Sequence, residues 1–178
     1  MYRYKNYVTI TDIKYDDEFR FLIEADLENG DKNKIALVIM QNPSKANRDE
    51  SDQTIDRVLE IMYESGYGKC YIMNLIPYYA TNSADIAKKA EENENVYELN
   101  DNLLKDKIEM ATKIFVAWGG NSGFDNSFNS SRIRKIQFLL GSRQTYCYKI
   151  NKDGTPIHPS RNQWKKGITD KDFICYYF

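Results

Sequence analysis

Paired cysteines, a surplus of basic residues and long apolar runs are all missing from this chain of 178 residues. Its three cysteines, Cys70, Cys147 and Cys175, are far apart, and none belongs to a CxxC pair. Structural zinc sites need such closely spaced thiols, so we expect no metal centre of that type. Each cysteine lies in an apolar or aromatic run, which is typical of a buried free thiol.

The charged residues nearly balance, with 25 Lys and Arg against 26 Asp and Glu. The net charge of −1 excludes the large basic surface that binds duplex nucleic acid. Two short basic clusters remain, at Arg132, Arg134 and Lys135 and at Arg161, Lys165 and Lys166. The 14 tyrosines suit either packing at the margins of a sheet or stacking on a flat ligand.

No apolar stretch approaches the length of a membrane-spanning helix. Residues 1–7 also lack the apolar centre of a signal peptide. We therefore expect a cytoplasmic protein with no membrane partner. A chain of this length favours one domain, residues 1–178, that is large enough to bury a core.

An antiparallel hairpin is predicted near the N-terminus. Residues 7–13 and 18–25 alternate polar and apolar side chains, and a polar break at residues 14–17 separates them. A second turn signal, Asn-Gly-Asp, follows at residues 29–31. We expect the hairpin within residues 1–30 to be added at the edge of a larger sheet.

Strands and helices are predicted to alternate from residue 35 onward. Continuous apolar runs predict strands buried on both faces, at residues 35–40, 70–76, 113–118 and 145–149. Cap residues and helical spacing predict helices after Asp52, near residues 83–85, and over residues 96–111 and 130–140. Residues 172–178 predict a last strand. This order is typical of an α/β fold, a three-layer sandwich with a mostly parallel central sheet.

Four unusual polar or glycine-containing segments are predicted at the ends of these strands. Ligands of open α/β sheets bind at the carboxyl ends of the strands, so we expect the four segments to form one pocket. The expected ligand-binding or catalytic residues of this pocket are Gln41, Asn42, Ser44, Asn74, Trp118, Gly119, Asn121, His158 and Ser160.

The side chains in these segments indicate what the pocket could do. His158, the only histidine, can donate to a developing oxyanion or act as an acid or base near neutral pH. Gln41 and Asn42 can orient a water molecule or a carbonyl group. Asn74 offers both an acceptor and donors, which suits reading the edge of a base or an amide.

Backbone groups and carboxylates extend this candidate site. Gly119 and Gly120 would let backbone N–H groups approach an anion or a flat ring. Asp52 or Asp56 could serve as a general base or hold a metal ion, and we count Asp52 among the candidate catalytic residues. The motifs imply no organic cofactor, and we expect none.

Structural alternatives exist for each of these features. Asp52 is a good helix N-cap, and residues 42–44 could be only a strand-to-helix turn. The side chain of Asn74 could cap the backbone of a loop. Trp118 and Trp164 could be packing residues.

The chain resembles the bacterial and phage domain-of-unknown-function family 1643. The matching motifs are Asn-Pro-Ser at residues 42–44, Asp-x-Thr at 52–54, Asn-Leu at 74–75, Ala-Thr at 80–81, Trp-Gly at 118–119 and Gly-x-Pro-x-His-Pro at 154–159. They occur in the family's order and span most of the chain. This resemblance implies no particular activity.

A second resemblance is to the uracil-DNA glycosylase superfamily, in the order of a Pro-containing loop, an Asn-bearing strand, a strand ending near Gly, and His-Pro-Ser. It implies a glycosylase-like fold. It also implies that Asn42 orients the attacking water, Asn74 reads the pyrimidine edge and His158 stabilises charge on the base oxygen. The ligand would then be a nucleobase, a nucleotide or a modified base, free or in nucleic acid.

Three functions follow as hypotheses. The first is an enzyme, or a degenerate enzyme, that binds a nucleobase and hydrolyses an N-glycosidic bond. The second is a non-catalytic module that binds a nucleotide or another small molecule, for example in phage–host conflict. The third is an interaction protein that uses a tyrosine-rich surface. The sequence leaves the oligomeric state open.

Overall fold

The computed structural model describes residues 2–79, 94–120, 126–160 and 163–178, which form an α/β fold. The strands are β1 (Tyr2–Arg3), β2 (Val8–Tyr15), β3 (Arg20–Leu27), β4 (Asp31–Met40), β5 (Glu50–Ser51), β6 (Tyr67–Asn74), β7 (Lys113–Ala117), β8 (Thr145–Cys147) and β9 (Ile174–Tyr176). The α-helices in these ranges are α1 (Gln53–Glu64), α2 (Glu94–Met110) and α3 (Asn126–Leu140).

Seven of the described strands form one mixed sheet, in the order β2-β3-β6-β4-β7-β8-β9. The four inner strands β6, β4, β7 and β8 are parallel to one another. The pairs β2–β3, β3–β6 and β8–β9 are antiparallel. The prediction of a mostly parallel sheet is therefore wrong, because the antiparallel pairs equal the parallel ones in number. Strands β1 and β5 form a separate small antiparallel sheet.

A tight turn explains why the sheet is mixed. The N–H of Gly30 donates to the carbonyl of Leu27 at 3.3 Å, and Asn29 takes a positive φ of 60°. This turn reverses the chain between β3 and β4. Because β6 is parallel to β4, β3 must be antiparallel to β6. The hairpin of β2 and β3 is found at the sheet edge.

Strand β4 lies at the centre of the sheet and is buried on both faces. Ala36, Val38 and Met40 face α1, and Leu37 and Ile39 face α2 and α3. Helices therefore cover both faces of the sheet. β4 begins at Asp31, four residues before the predicted strand, and its polar first residues are the exposed part. The continuous apolar run is the part that the two layers of helices bury.

Helix α1 begins at its predicted N-cap. The Asp52 Oδ1 atom accepts the backbone N–H groups of Thr54 at 2.8 Å and Ile55 at 3.1 Å. Helix α1 then buries an apolar stripe that includes Val58 and Met62. The chain leaves this helix through Gly66, which has a φ of 76°.

The other predicted elements are found with shifted ends. Helices α2 and α3 begin two and four residues earlier than predicted, and β8 and β9 are shorter. The helix predicted near residues 83–85 lies outside the described residues, as does the Ala-Thr motif at 80–81. Within the described ranges, no helix combines the length and apolar character needed to cross a bilayer.

A buried arginine joins α3 to α2 and to the end of β6. The Arg132 Nη2 and Nη1 atoms donate to the two carboxylate oxygens of Asp101 at 2.5 and 3.1 Å. Its Nε atom donates to the carbonyl oxygen of Leu75 at 2.9 Å. The guanidinium group also lies 4.9 Å from the centre of the Tyr97 ring. Arg132 is therefore buried and is not part of a surface patch with Arg134 and Lys135, which the sequence had left open.

Replacing Asp101 by Asn should strongly destabilise the protein, because Arg132 would keep a buried charge without its carboxylate partner. We expect the free energy of unfolding to fall by about 3–5 kcal/mol, measured by urea denaturation. Asp106→Asn is the matched control, because Asp106 is an exposed carboxylate on the same helix. Equal losses in the two variants would contradict this account.

Candidate functional site

A cleft of about 480 Å³ lies at the carboxyl ends of β4 and β7, within the range of about 300–1,000 Å³ usual for ligand sites. Its described lining contains no Asp, Glu, Lys or Arg side chain. The lining residues are Met40, Gln41, Asn42, Pro43, Ser44, Thr54, Trp118, Gly119, Gly120, Asn151, Ile157, His158, Ser160 and Gln163. The two Pro-Ser segments thus contribute to one cleft.

Arg20 holds the first wall, residues 41–44, in place. Its Nη1 atom donates to the Ser44 carbonyl at 2.9 Å, to the Ser44 hydroxyl at 3.3 Å and to the Ala46 carbonyl at 3.0 Å. Arg20 is 1% exposed, and its burial lowers its pKa. Sequence reasoning missed this residue, because a single Arg within an alternating strand carries no signal of a buried role.

The second wall, residues 156–160, packs directly on Gly119. The Gly119 N–H donates to the Pro156 carbonyl at 2.8 Å, so it is not free to approach a ligand as predicted. Gly119 has a φ of 77°, and a Cβ atom there would lie 3.0 Å from the Cβ of His158. Trp164 supports this wall from behind, as its Nε1 donates to the Ile157 carbonyl at 3.2 Å. Glycine is therefore required at position 119 for two separate reasons.

His158 presents a neutral imidazole to the cleft. Burial lowers the pKa of His158 from 6.5 to about 4, against the opposing effect of the Asp52 carboxylate. Its Nδ1 atom accepts the N–H of Ser160 at 3.1 Å, which leaves the ring proton on Nε2. His158 can therefore donate a hydrogen bond at neutral pH. This environment favours the predicted donor role over the acid or base role near neutral pH.

Asp52 does not line the cleft. One carboxylate oxygen caps α1, and the other, Oδ2, is buried without a hydrogen-bond partner in the described part of the chain. Its charge still acts on His158 and Arg20 through space. This placement confirms the N-cap interpretation of Asp52 and gives no contact through which it could act as a base on a ligand in the cleft.

The two carboxylates proposed as metal ligands, Asp52 and Asp56, do not line the same cleft among the described residues. Asp56 lies one helical turn beyond Asp52 and lines a different cleft. Among the described residues, no group of three or more His, Cys, Asp or Glu side chains lies close enough to hold a metal ion.

Asn74 lies one strand away from the cleft, opposite Met40 in the β4–β6 pair. It is 1% exposed, and neither its Oδ1 nor its Nδ2 atom has a partner among the described residues. The Asn100 Nδ2 atom donates a hydrogen bond to the backbone carbonyl oxygen of Asn74 at 3.2 Å. A buried amide with both ends unsatisfied is rare and needs an explanation, such as a partner outside the described residues.

Trp118 both packs and lines the cleft. Its ring stacks on Phe178 at a centroid distance of 5.6 Å and meets Tyr176 edge-on at 6.1 Å. The indole Nε1 atom is buried without a partner in the described ranges. The other tryptophan, Trp164, is fully buried, as the packing interpretation requires.

The structure thus brings together seven of the predicted residues, Gln41, Asn42, Ser44, Trp118, Gly119, His158 and Ser160. Asn121 lies outside the described residues, and Asn74 and Asp52 are outside the lining. Sequence reasoning missed Thr54, Asn151 and Gln163. Thr54 belongs to the Asp-x-Thr motif, which was a usable signal, whereas the other two lie in loops without a pattern.

The pKa of His158 can be measured directly, because the chain has one histidine. We expect titration near pH 4 in an NMR experiment that follows the imidazole carbon-bound protons. Asp52→Asn should lower this pKa further, since Asn keeps the N-cap but removes the opposing charge. Asp56→Asn should leave it unchanged, and titration near 6.5 in the wild type would contradict this account. The pKa of His158 is lower in the folded state than in the unfolded state. Its contribution to the free energy of unfolding is therefore fully present above about pH 6.5 and is lost as the pH falls towards 4.

Gly119→Ala should disturb the cleft, and Gly141→Ala is its matched control. Both glycines have a positive φ, but a Cβ at position 141 would meet no atom within 4 Å. Backbone strain should cost each variant about 1–2 kcal/mol of stability in urea denaturation, and the close contact with His158 should add to this cost in Gly119→Ala. Only Gly119→Ala should also shift the His158 imidazole resonances. Equal His158 spectra in the two variants would show that Gly119 does not position His158.

The family model for proteins of unknown function DUF1643 matches residues 20–160. The matched segment begins at Arg20, which supports the first wall, and ends at Ser160 in the second wall. No curated protein and no solved structure matches the chain at a significant level. The chain therefore belongs to the DUF1643 family.

Proposed function

We propose that the cleft binds a nucleobase, either free or as part of a nucleotide or a modified base. The observation that carries the proposal is the uncharged polar lining of the described cleft. Amide groups, hydroxyl groups and one neutral imidazole face the same space as Met40, Pro43 and Ile157. A nucleobase has a hydrogen-bonding edge and two apolar faces, and this combination of groups matches both.

Hydrolysis of an N-glycosidic bond is the chemistry that the site supports best. The His158 Nε2–H would donate to a carbonyl oxygen of the base as negative charge develops there. Asn42, at the end of β4, would orient the attacking water. The water oxygen would bond to the anomeric carbon as the bond to the base nitrogen breaks, and the departing base would take up the proton.

The resemblance to the uracil-DNA glycosylase superfamily supports this proposal. Asn42, Asn74 and Gly119 follow three parallel strands that are neighbours in the sheet, and His158 packs on Gly119. The buried, unsatisfied amide of Asn74 would suit a group that reads the base, once a ligand or water reaches it. We extend the proposal to a glycosylase-like fold for the three layers.

A cytoplasmic location also belongs to the proposal. Cys70, Cys147 and Cys175 are all free thiols, and two of them are buried. Free thiols persist in a reducing compartment, whereas an oxidising one favours disulfides.

One observation favours a second candidate, a module that binds a nucleobase without turning it over. In the described lining, no side chain titrates near neutral pH, because His158 is held neutral. The attacking water would then have no strong base to accept its proton. Under this alternative, the same cleft recognises the base and releases it unchanged.

Product release by the wild type and two variants distinguishes these functions. Nucleosides, nucleotides and oligonucleotides with uracil or modified bases are incubated with the protein, and free base is measured by chromatography. His158→Gln and Asn42→Ala should each slow base release by about 10²–10³-fold, since each removes a group that acts on the developing charge or on the water. Calorimetry on the same ligands should show that binding weakens much less.

Two outcomes would change the function assigned to the cleft. Tight binding with no released base in the wild type would support the binding module and refute the hydrolase. Absence of binding to every base, nucleoside and oligonucleotide would refute the nucleobase proposal itself. Lys45→Ala is a suitable control variant, because Lys45 is exposed next to the first wall and does not line the cleft.

A further inference from the structure

A second cleft, of about 460 Å³, is lined by residues that are close in the chain to residues of the nucleobase cleft. The two clefts share two segments of the chain. In the first turn of α1, Thr54 lines the nucleobase cleft and Gln53 lines the second one. In the C-terminal segment, Gln163 lines the first cleft, and Lys166, three residues later, lines the second cleft. Both clefts therefore reach the first turn of α1, where their linings are adjacent in the chain.

The second cleft is charged where the first is neutral. Lys5, Arg57 and Lys166 line it, together with the carboxylates Asp56 and Glu60. The Arg57 Nη1 atom pairs with the Glu60 carboxylate at 2.5 Å, so this carboxylate is already neutralised. Within the described lining, two exposed lysines then face one remaining carboxylate, which leaves the cleft with a net positive charge.

Arg57 gives this cleft a fixed donor. The residue is 9% exposed, and its Nε–H is buried without a hydrogen-bond partner in the described part of the chain. A buried guanidinium N–H that lacks an acceptor is costly, so an anion that reached it would supply a missing partner. Lys5 and Lys166, being long and exposed, can close on the same anion from outside.

We infer that the second cleft binds the phosphate of a nucleotide whose base occupies the first cleft. This inference rests on the proposed function and narrows it, because it names a phosphorylated ligand and not a free base or nucleoside. The neutral cleft recognises the base by hydrogen bonds. The positive groups of the basic cleft attract a phosphate, which a nucleoside does not have. Gln53 lines the basic cleft and Thr54, the next residue in the chain, lines the neutral one.

Paired ligands with and without a phosphate test the inference. Calorimetry is done with the full chain on ribonucleosides and deoxyribonucleosides and on their 5′- and 3′-monophosphates. We expect at least one monophosphate to bind about tenfold more tightly than its nucleoside, as a charge-assisted contact would allow. The double variant Lys5→Ala/Lys166→Ala should remove most of this advantage, since only Arg57 is left to contact the phosphate, and it should leave nucleoside affinity unchanged.

The control is Lys165→Ala, which removes an exposed lysine that is next to Lys166 but outside the cleft. This variant should still bind the monophosphate about tenfold more tightly than the nucleoside. That result would exclude a general effect of net charge. Equal affinities for nucleosides and monophosphates would overturn the inference and leave the proposed function standing. An advantage that is undiminished in the double variant would also overturn it, because the two lysines of the second cleft would then contribute nothing to phosphate binding. Absence of all nucleoside and nucleotide binding would refute the proposed function, and this inference with it.

Discussion

Parallel pairing of β4 with β6 on one side and with β7 on the other is the constraint on which the site depends. The register places Met40 beside both Asn74 and Ala117, so three strands end at the same level. The segments that follow them have to emerge together. The fourth segment, which carries His158, is not a strand end. It reaches the same place because Gly119 has no side chain and because the Trp164 indole holds the Ile157 carbonyl.

Much of this arrangement could be predicted from local pattern. The run at residues 35–40 has no polar residue, and its short length and β-branched content favour a strand buried on both faces. Asp52 precedes an apolar stripe at helical spacing, and it caps α1. The sheet's mixed directions could not be predicted in the same way. They follow from which strand lies beside which, and the short turn at Asn29 only fixes that β3 and β4 run in opposite directions.

Buried charge was the least predictable feature. Arg20 and Arg132 read like other surface residues in the sequence, yet each is bound to backbone carbonyls at the margin of the site. Their partners lie 24 or more residues away along the chain, so no local pattern connects them. His158 shows the same dependence on context. Its rarity marked it as a candidate, but burial keeps it neutral, so it donates a hydrogen bond and does not exchange a proton near neutral pH.

The order of the strands has a consequence for folding kinetics. β4 pairs with partners that lie about 34 and 77 residues later, at Ala36 with Cys70 and with Lys113. Such non-local pairings close long loops and form late. The hairpin of β2 and β3 needs only local contacts and can form early. The cleft is built mainly from the ends of late-pairing strands and the segment that docks on them. A folding intermediate that has the hairpin alone would therefore have no binding site, and ligand binding would report completed assembly of the sheet.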